Sequence, residues 1–509
     1  MAGSRMSRPI LIVMLMGYLM VPHFTFAQQL HAGVAKADIT IQAEGVRIND
    51  PVYAKVLVLE QGATQVVIIG MDVTAIGGIG EVTDAFLPDL RARIEGELGI
   101  PGKHVLVNAS HNHPPISFLC TPEEQLARTF AAVKAAKAGM VPVKVGAGVG
   151  HEDRIAMNRT LQLSDGSAWT IRHSNPCPPD NIVKSVGPMD PEIGILRIDR
   201  MDGSPFAVLY NYACHPYITV PEGGVTADYP GFASRVIEES LGGDVMAIFL
   251  QGAGGDITSI LYKDVNRPRD SEPLGLMLGT RTLKAMQGIE TGDAELHVVN
   301  ETLLLPRKND FDAKVEVLEA EQAALLKGLR GTSMNFKTFL PQYIKHSIDP
   351  QHPGYYSYRY LQSESIGKDE MSGIDAWNKG HIDKYLRNIQ SMEKMARNVD
   401  KIATLRRHQK INDDSGEDTI ETEVQGIRIG DFVLVTSPAE VLVDIGLNVK
   451  KASPFEFTFM AAYSNGYIHY GPPASEYPKG GYEVTECLLA PEWQALFEAK
   501  ADAVLQQLK

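Results

Sequence analysis

The stretch His104-Val105-Leu106-Val107-Asn108-Ala109-Ser110-His111-Asn112-His113-Pro114-Pro115 is a short apolar run that stops in a polar, imidazole-bearing cluster. A run of this length, rich in β-branched residues, reads as a buried strand. The same design recurs along the chain: residues 66–73, 207–212, 245–250, 432–436 and 457–462 are further β-branched runs. Two of them also end in polar clusters, Asn211-Tyr212-Ala213-Cys214-His215 and Gln251-Gly252-Ala253-Gly254-Gly255-Asp256. Residues 84–98 and 229–241 carry apolar side chains at three-to-four spacing, the mark of an amphipathic helix. The alternation predicts a mixed α/β fold, with mixed β-sheets flanked by helices. Ligands of such sheets gather at the strand ends, where the polar clusters fall.

Residues 308–412 have a different character. Phe311, Val315, Leu318, Leu325 and Leu329 mark one helical face; Ile382, Tyr385, Ile389, Met392, Val399 and Leu405 mark a longer one. Two such faces predict an antiparallel helical pair inserted into the main domain. Between them, Tyr355-Tyr356-Ser357-Tyr358-Arg359-Tyr360 reads as a loop, either a lid or a solvated connector. Residues 491–508 form one more amphipathic helix. Gly146-Ala147-Gly148-Val149-Gly150 lies in an alternating extended stretch, which is the wrong context for a dinucleotide-binding turn.

The 509 residues carry 48 Lys plus Arg against 62 Asp plus Glu, a formal net charge of −14. An acidic balance disfavours a chain built to hold nucleic acid, which needs a basic face. With 44% hydrophobic and 22% charged residues the composition is that of a globular protein. At the N-terminus, Arg5 and Arg8 precede an apolar stretch, and Thr25-Phe26-Ala27 places small residues where a signal peptidase inspects. Residues 1–27 are therefore expected to be a signal peptide and the mature chain to begin at Gln28, exported to a periplasmic or extracellular site. The apolar run is short for a membrane span and Pro22 and His23 interrupt it. No span is expected in the mature chain. Cys120, Cys177, Cys214 and Cys487 lack C-x-x-C spacing, so a cysteine zinc knot is not indicated. Cys120 and Cys177 are either a disulfide pair or buried thiols.

Four polar clusters follow core strands: Ser110-His111-Asn112-His113, Cys214-His215-Pro216, Ser437-Pro438-Ala439-Glu440, and Tyr463-Ser464-Asn465-Gly466-Tyr467-Ile468-His469-Tyr470 continuing to Glu476-Tyr477. In an extended segment His111 and His113 point the same way. Two imidazoles on one side of a strand end suit zinc, or one binds it while the other meets substrate. The chain has no H-E-x-x-H and no G-x-S-x-G, so neither a zincin nor a nucleophile elbow is indicated.

In family order, the chain resembles the catalytic domain of the neutral/alkaline, non-lysosomal ceramidases. Gly33-Val34-Ala35-Lys36-Ala37-Asp38-Ile39-Thr40 is similar to that family's opening, and Asp50-Pro51-Val52-Tyr53-Ala54-Lys55 and Met71-Asp72-Val73 to its next two strands. Ser110-His111-Asn112-His113 resembles its S/T-H-T-H, Asn158-Arg159-Thr160 its N-R-S, and Asp190-Pro191-Glu192 and Cys214-His215-Pro216 follow. Gly255-Asp256-Ile257-Thr258 resembles its G-D/N-x-S, and residues 463–482 its late tyrosine block.

The resemblance implies a secreted zinc hydrolase in residues 28–509 that cleaves an N-acyl amide by zinc-activated water. It implies a small-molecule or lipid substrate of sphingolipid metabolism. Zinc ligands by matched position are His111, His215, Glu440 and a late tyrosine. Spacing from the Ser464-Asn465 pair favours Tyr477, with Tyr470 and Tyr482 as alternatives. His113 and Arg159 match residues that contact the reacting group, for oxyanion stabilisation or proton transfer. Thr258 stands where the family has its active-site serine, without the Pro-Asn that follows it there, and Pro114-Pro115 replaces a Ser-Gly-Pro. The family's C-terminal β-domain has no counterpart before Lys509. Two other readings fit the same residues: a zinc hydrolase acting on another amide or ester such as a glycoconjugate, and a metal-containing binding protein without turnover.

Overall fold

The structure, a computed structural model, describes residues 1, 3, 28–114, 116–171, 178–242, 244–259, 269–354 and 358–509. The expected signal peptide, Cys177 and Tyr355-Tyr356-Ser357 lie outside the described residues, apart from the first and third residues of the chain.

The first five strands are β1 (His31–Asp38), β2 (Tyr53–Gln61), β3 (Thr64–Met71), β4 (Val105–Ala109) and β5 (Val141–His151). Short strands follow: β6 (Ala156–Asn158), β7 (Thr160–Leu163), β8 (Ala168–Thr170) and β9 (Val183–Val186). Next come β10 (Glu192–Arg200), β11 (Pro205–Tyr212), β12 (Met246–Gln251) and β13 (Ile257–Ser259). An eight-stranded sheet runs in the order β12-β11-β10-β5-β1-β2-β3-β4. A four-stranded sheet, β14-β15-β16-β18, contains β14 (Leu296–Pro306), β15 (Thr419–Ile429), β16 (Phe432–Thr436) and β18 (Phe457–Ala461). The two-residue strands β17 (Glu440–Val441) and β19 (Tyr470–Gly471) pair with each other. Both large sheets are clad by α1 (Phe86–Leu98), α2 (Pro122–Ala138), α3 (Asp228–Leu241), α4 (Glu272–Met286), α9 (Val443–Ala452) and α11 (Trp493–Gln507). This is the mixed α/β architecture expected from the sequence.

Three strand pairs within the two large sheets are parallel: β3 with β4, β11 with β12, and β16 with β18. A parallel pair needs a crossover, and each crossover here contains one α-helix, α1, α3 and α9 respectively. His111 follows β4, His215 follows β11, Glu440 follows β16, and the tyrosine block follows β18. The polar clusters therefore sit at the carboxyl ends of parallel strands, where α/β folds hold their ligands.

Between the paired strands β14 and β15 run α5 (Phe311–Gly328), α6 (Phe336–Ile348), α7 (Tyr358–Ser365) and the 46-residue α8 (Glu370–Ser415). Helices α5 and α8 are antiparallel: Glu319 pairs with Arg406, Glu321 reaches Lys394 and Asn398, and the Arg330 N–H donates to Asn388. Phe311, Val315 and Leu405 form their small separate core. Tyr358 to Tyr360, read as loop from the sequence, open α7 instead; the Tyr360 hydroxyl donates to Asp375 at 2.6 Å and anchors that turn to α8.

Where the strands end, their ladders no longer supply partners, and buried asparagines take over. Asn108 donates to Ala462 O (2.5 Å) and Ser464 Oγ (3.0 Å), while its Oδ1 accepts from Gln251 N (2.7 Å). Asn211 donates to Leu250 O and Met460 O, and Asn465 accepts from Val107 N at 2.8 Å. These contacts tie the two large sheets together beside the polar clusters. Gly70 is needed where β3 passes β12 of the same eight-stranded sheet, because a Cβ there would lie 2.5 Å from Phe249 O.

Asn108→Ala would leave the buried Gln251 N–H without a partner, at about 1–3 kcal/mol, and would leave Ala462 O only the longer bond from Ser464 Oγ at 3.3 Å. We expect urea unfolding to show a loss of about 2 kcal/mol or more; a loss under about 0.5 kcal/mol would contradict the role given to Asn108.

Candidate metal centre and its surroundings

His111 lies in the left-handed region at φ 67, and so do Tyr463 (φ 55), Asn465 (φ 58) and His469 (φ 63). Such backbone costs about 1–3 kcal/mol for a non-glycine residue and persists only where the surroundings over-determine it. Here Ser110 N donates to Met71 O, Asn112 N to Val73 O, Ala109 N to Tyr463 O, and Asn465 N to Val107 O. The turn after β4 and the turn after β18 therefore hold each other, and they aim His111 and Tyr463 at one point. Their rings are 4.3 Å apart between centroids.

His111, His215 and Glu440 offer ligand atoms that all lie within 4.8 Å of one another. Each histidine is oriented through its far nitrogen. His111 Nδ1 is 2.7 Å from Thr74 O, and His215 Nδ1 is 2.7 Å from Gly254 O and 3.0 Å from Ile257 O. A carbonyl only accepts, so Nδ1 carries the proton and Nε2 presents a bare lone pair. Burial, with Arg159 nearby, pushes His215 down to about 4 and keeps it neutral at pH 7. Glu440 Oε2 is buried without a hydrogen-bond partner, 3.2 Å from His111 Nε2 and 3.4 Å from His215 Nε2. Burial opposes ionisation of Glu440; positive charge on the two imidazoles outweighs it and holds the carboxyl well below its usual range, and with both rings neutral only a cation supplies that charge. Three acceptors facing one another in a dry space repel unless a cation joins them, and two imidazole nitrogens with one carboxylate are a donor set for zinc.

Of the other residues singled out from the sequence, His113 places Nε2 2.8 Å from His111 Nε2. Burial, then His111 and His215, push its pKa well down, so it too is neutral at pH 7. Arg159 is buried; Nε donates to Glu483 at 2.9 Å, and Nη2 to Gly255 O (2.8 Å) and the Tyr470 hydroxyl (3.0 Å). Thr258, on β13, hydrogen-bonds through its hydroxyl to Tyr217, whose ring is 5.3 Å from that of His215. Asp256 fixes this neighbourhood: it accepts from Asn158 Nδ2 at 2.6 Å and from Val443 N, at the start of α9, at 2.9 Å.

Tyr477 is not brought to the three acceptors. Its hydroxyl donates to Leu489 O at 2.8 Å and meets Cys487 Sγ at 3.3 Å. The tyrosines around Glu440 are instead Tyr463, whose buried hydroxyl has no partner, Tyr467, whose hydroxyl hydrogen-bonds Glu440 Oε1, and Tyr470, paired with Glu440 across β17 and β19. Counting from Ser464-Asn465 misses this because left-handed residues at 463, 465 and 469 fold the block back on itself. The sequence reading assigned no role to Tyr217 or Glu483; adjacency to His215-Pro216 and to Tyr482 was the available signal. Cys120, Cys214 and Cys487 are buried free thiols, and none supplies a ligand here. Among the described residues no helix is long and apolar enough to cross a membrane.

No family model and no curated protein matches the chain. Its fold is that of solved ceramidases. Against neutral ceramidase from Pseudomonas aeruginosa the TM-score is 0.57 at 16% identity, over 94% of this chain and 75% of that one. Against a structure described as ceramidase complexed with C2 it is 0.57 at 15% identity, over 94% and 76%. At such identity the likeness establishes a neutral ceramidase-like fold.

The depressed pKa of His215 has a consequence for stability. Between its folded value of about 4 and the ordinary 6.5, the unfolded chain takes up a proton that the folded chain refuses. Its contribution is complete above about pH 6.5 and is lost as pH falls towards 4. Thermal melts of chelator-treated protein should show the midpoint falling across that window, with a shallower fall in His215→Gln; an equal slope in both would contradict the assignment.

Proposed function

We propose that this chain is an exported zinc-dependent amidohydrolase of the neutral ceramidase type, which cleaves the N-acyl amide of a ceramide-like lipid. The observation that carries the reading is the convergence of three acceptors, His111 Nε2, His215 Nε2 and Glu440 Oε2, at the strand ends of a ceramidase-like fold. These residues would hold the ion, with a tyrosine of the 463–470 turn in place of Tyr477. Zinc held there lowers the pKa of a bound water to about 7 and polarises a carbonyl oxygen.

The chain's own residues have distinct tasks. His113, neutral beside His111, hydrogen-bonds the reacting amide or the attacking water without adding a second positive charge. Arg159 is committed to Glu483 and Gly255 O, so it acts by fixing the Tyr470 hydroxyl next to Glu440. Thr258 is paired with Tyr217, a restraint that suits positioning better than attack, and water remains the nucleophile. Hydrolysis adds the water oxygen to the acyl carbon, breaks the C–N bond and passes a proton to the leaving nitrogen. The products are a fatty acid and a primary amine.

The purified chain should contain zinc and hydrolyse a fluorogenic N-acyl sphingosine faster than simple esters or N-acyl sugars. His111→Ala and Glu440→Gln should each lower kcat/KM by about 10³-fold, the several kcal/mol expected from losing a metal's charge stabilisation. Thr258→Val should stay within about tenfold of the parent. Zinc without turnover on any of these substrates would sink the enzymatic reading. Faster cleavage of N-acyl sugars would redirect it to a glycoconjugate. Export is checked separately: the secreted protein should begin at Gln28.

A further inference from the structure

A second group of acceptors lies on the far side of the tyrosine block. His408 of α8, His469 of the turn before β19, and Glu486, which follows α10 (Tyr482–Thr485), offer ligand atoms within 4.8 Å of one another. His408 is fully buried, and neither of its ring nitrogens has a hydrogen-bond partner. Its Nε2 is 3.2 Å from Glu486 Oε2, and its ring is 4.6 Å from that of His469. A buried imidazole held only by an ion pair at one nitrogen, with the other unpartnered, is costly unless something else satisfies it.

Glu486 is within ion-pair reach of Nε2, and no neighbouring group meets Nδ1. Lys308 donates to Val484 O and Cys487 O, and Phe311 presents its ring 6.4 Å from that of His408. Arg407 Nη2 lies 3.1 Å from Glu486 Oε2, and the Thr404 hydroxyl donates to Glu486 Oε1 at 3.2 Å. Arg407 is more than half exposed, so it can release that oxygen to solvent at little cost.

We propose that His408, His469 and Glu486 form a second binding site for a divalent cation of the zinc class. Two imidazoles and a carboxylate match that class in donor type, and three protein ligands leave one position for water. The site joins three segments distant in sequence: the helical insertion, the tyrosine block and the end of α10. His469 also accepts from Glu440 N through its main-chain oxygen at 2.9 Å. A cation here would fasten the long helix of the insertion to the turn that surrounds Glu440, and so hold the shape of the first centre without entering it.

The test is metal content of the full chain, equilibrated with zinc, freed of excess by gel filtration and measured by mass spectrometry. The expected content is two zinc ions per chain in the parent, one in His111→Ala, one in His408→Gln and none in the double variant. In the His111→Ala background, cobalt(II) should give visible bands that disappear on adding Glu486→Gln, a second substitution that keeps the site's size. Circular dichroism establishes that each variant is folded. One ion in the parent and none in His111→Ala would overturn the second site while leaving the first intact. One ion retained in His111→Ala and lost in His408→Gln would uphold the second site and defeat the first.

Discussion

The junction between the eight-stranded and four-stranded sheets must be dry, yet it is where β-ladders stop and main-chain groups lose their partners. Every buried N–H and carbonyl exposed by that stop needs a substitute bond. Asn108, Asn211 and Asn465 supply several of them, each reaching from one strand end to another. An asparagine suits this work because its amide offers both donors and an acceptor, as the backbone does. The rest of the molecule is arranged so that these contacts can form, with three parallel strand pairs delivering their carboxyl ends to one place.

The same constraint shapes the centre. His111 and Tyr463 sit in left-handed backbone because the turns carrying them must leave the strand and immediately bond back to it. Once they do, His111 Nδ1 and His215 Nδ1 meet carbonyls, and the opposite nitrogens are turned as acceptors toward Glu440. Selection of one imidazole tautomer by a backbone carbonyl is thus a property of the fold, established before any ion arrives. Burial then keeps His215 and His113 neutral, the state in which imidazole is a ligand or a hydrogen-bonding group and not a cation.

The helical insertion is held to the main body by different means. Ion pairs between α5 and α8 are largely exposed and add little each. Its own apolar core is small. Among its buried residues is His408, placed against the tyrosine block. The long helix therefore bears on the turn around Glu440 through His469, whose main chain bonds to that of Glu440.

Much of this was legible in the residues alone. Strand runs ending in polar clusters showed the α/β class, because burial on both faces forces continuous apolar stretches whatever their neighbours. The clusters that hold His111, His215 and Glu440 stood out because each follows such a run, and an element's end is a local property of sequence; that these three share one ion was implied only by the resemblance to the ceramidases. The long helix was only partly read: its apolar face was seen over residues 382–405, whereas α8 spans Glu370–Ser415, since its exposed ends carry no core-facing pattern. Which tyrosine meets Glu440 was decided by tertiary structure. Tyr463, Tyr467 and Tyr470 surround it and Tyr477 turns to Leu489, because left-handed turns reset the direction of the chain three times within seven residues (463, 465, 469). The partnership of His408, His469 and Glu486 was equally beyond the sequence, since residues far apart in the chain meet only when the insertion packs against the body. Sequence determined what ends each strand; only the packed fold decided which of those ends face one another.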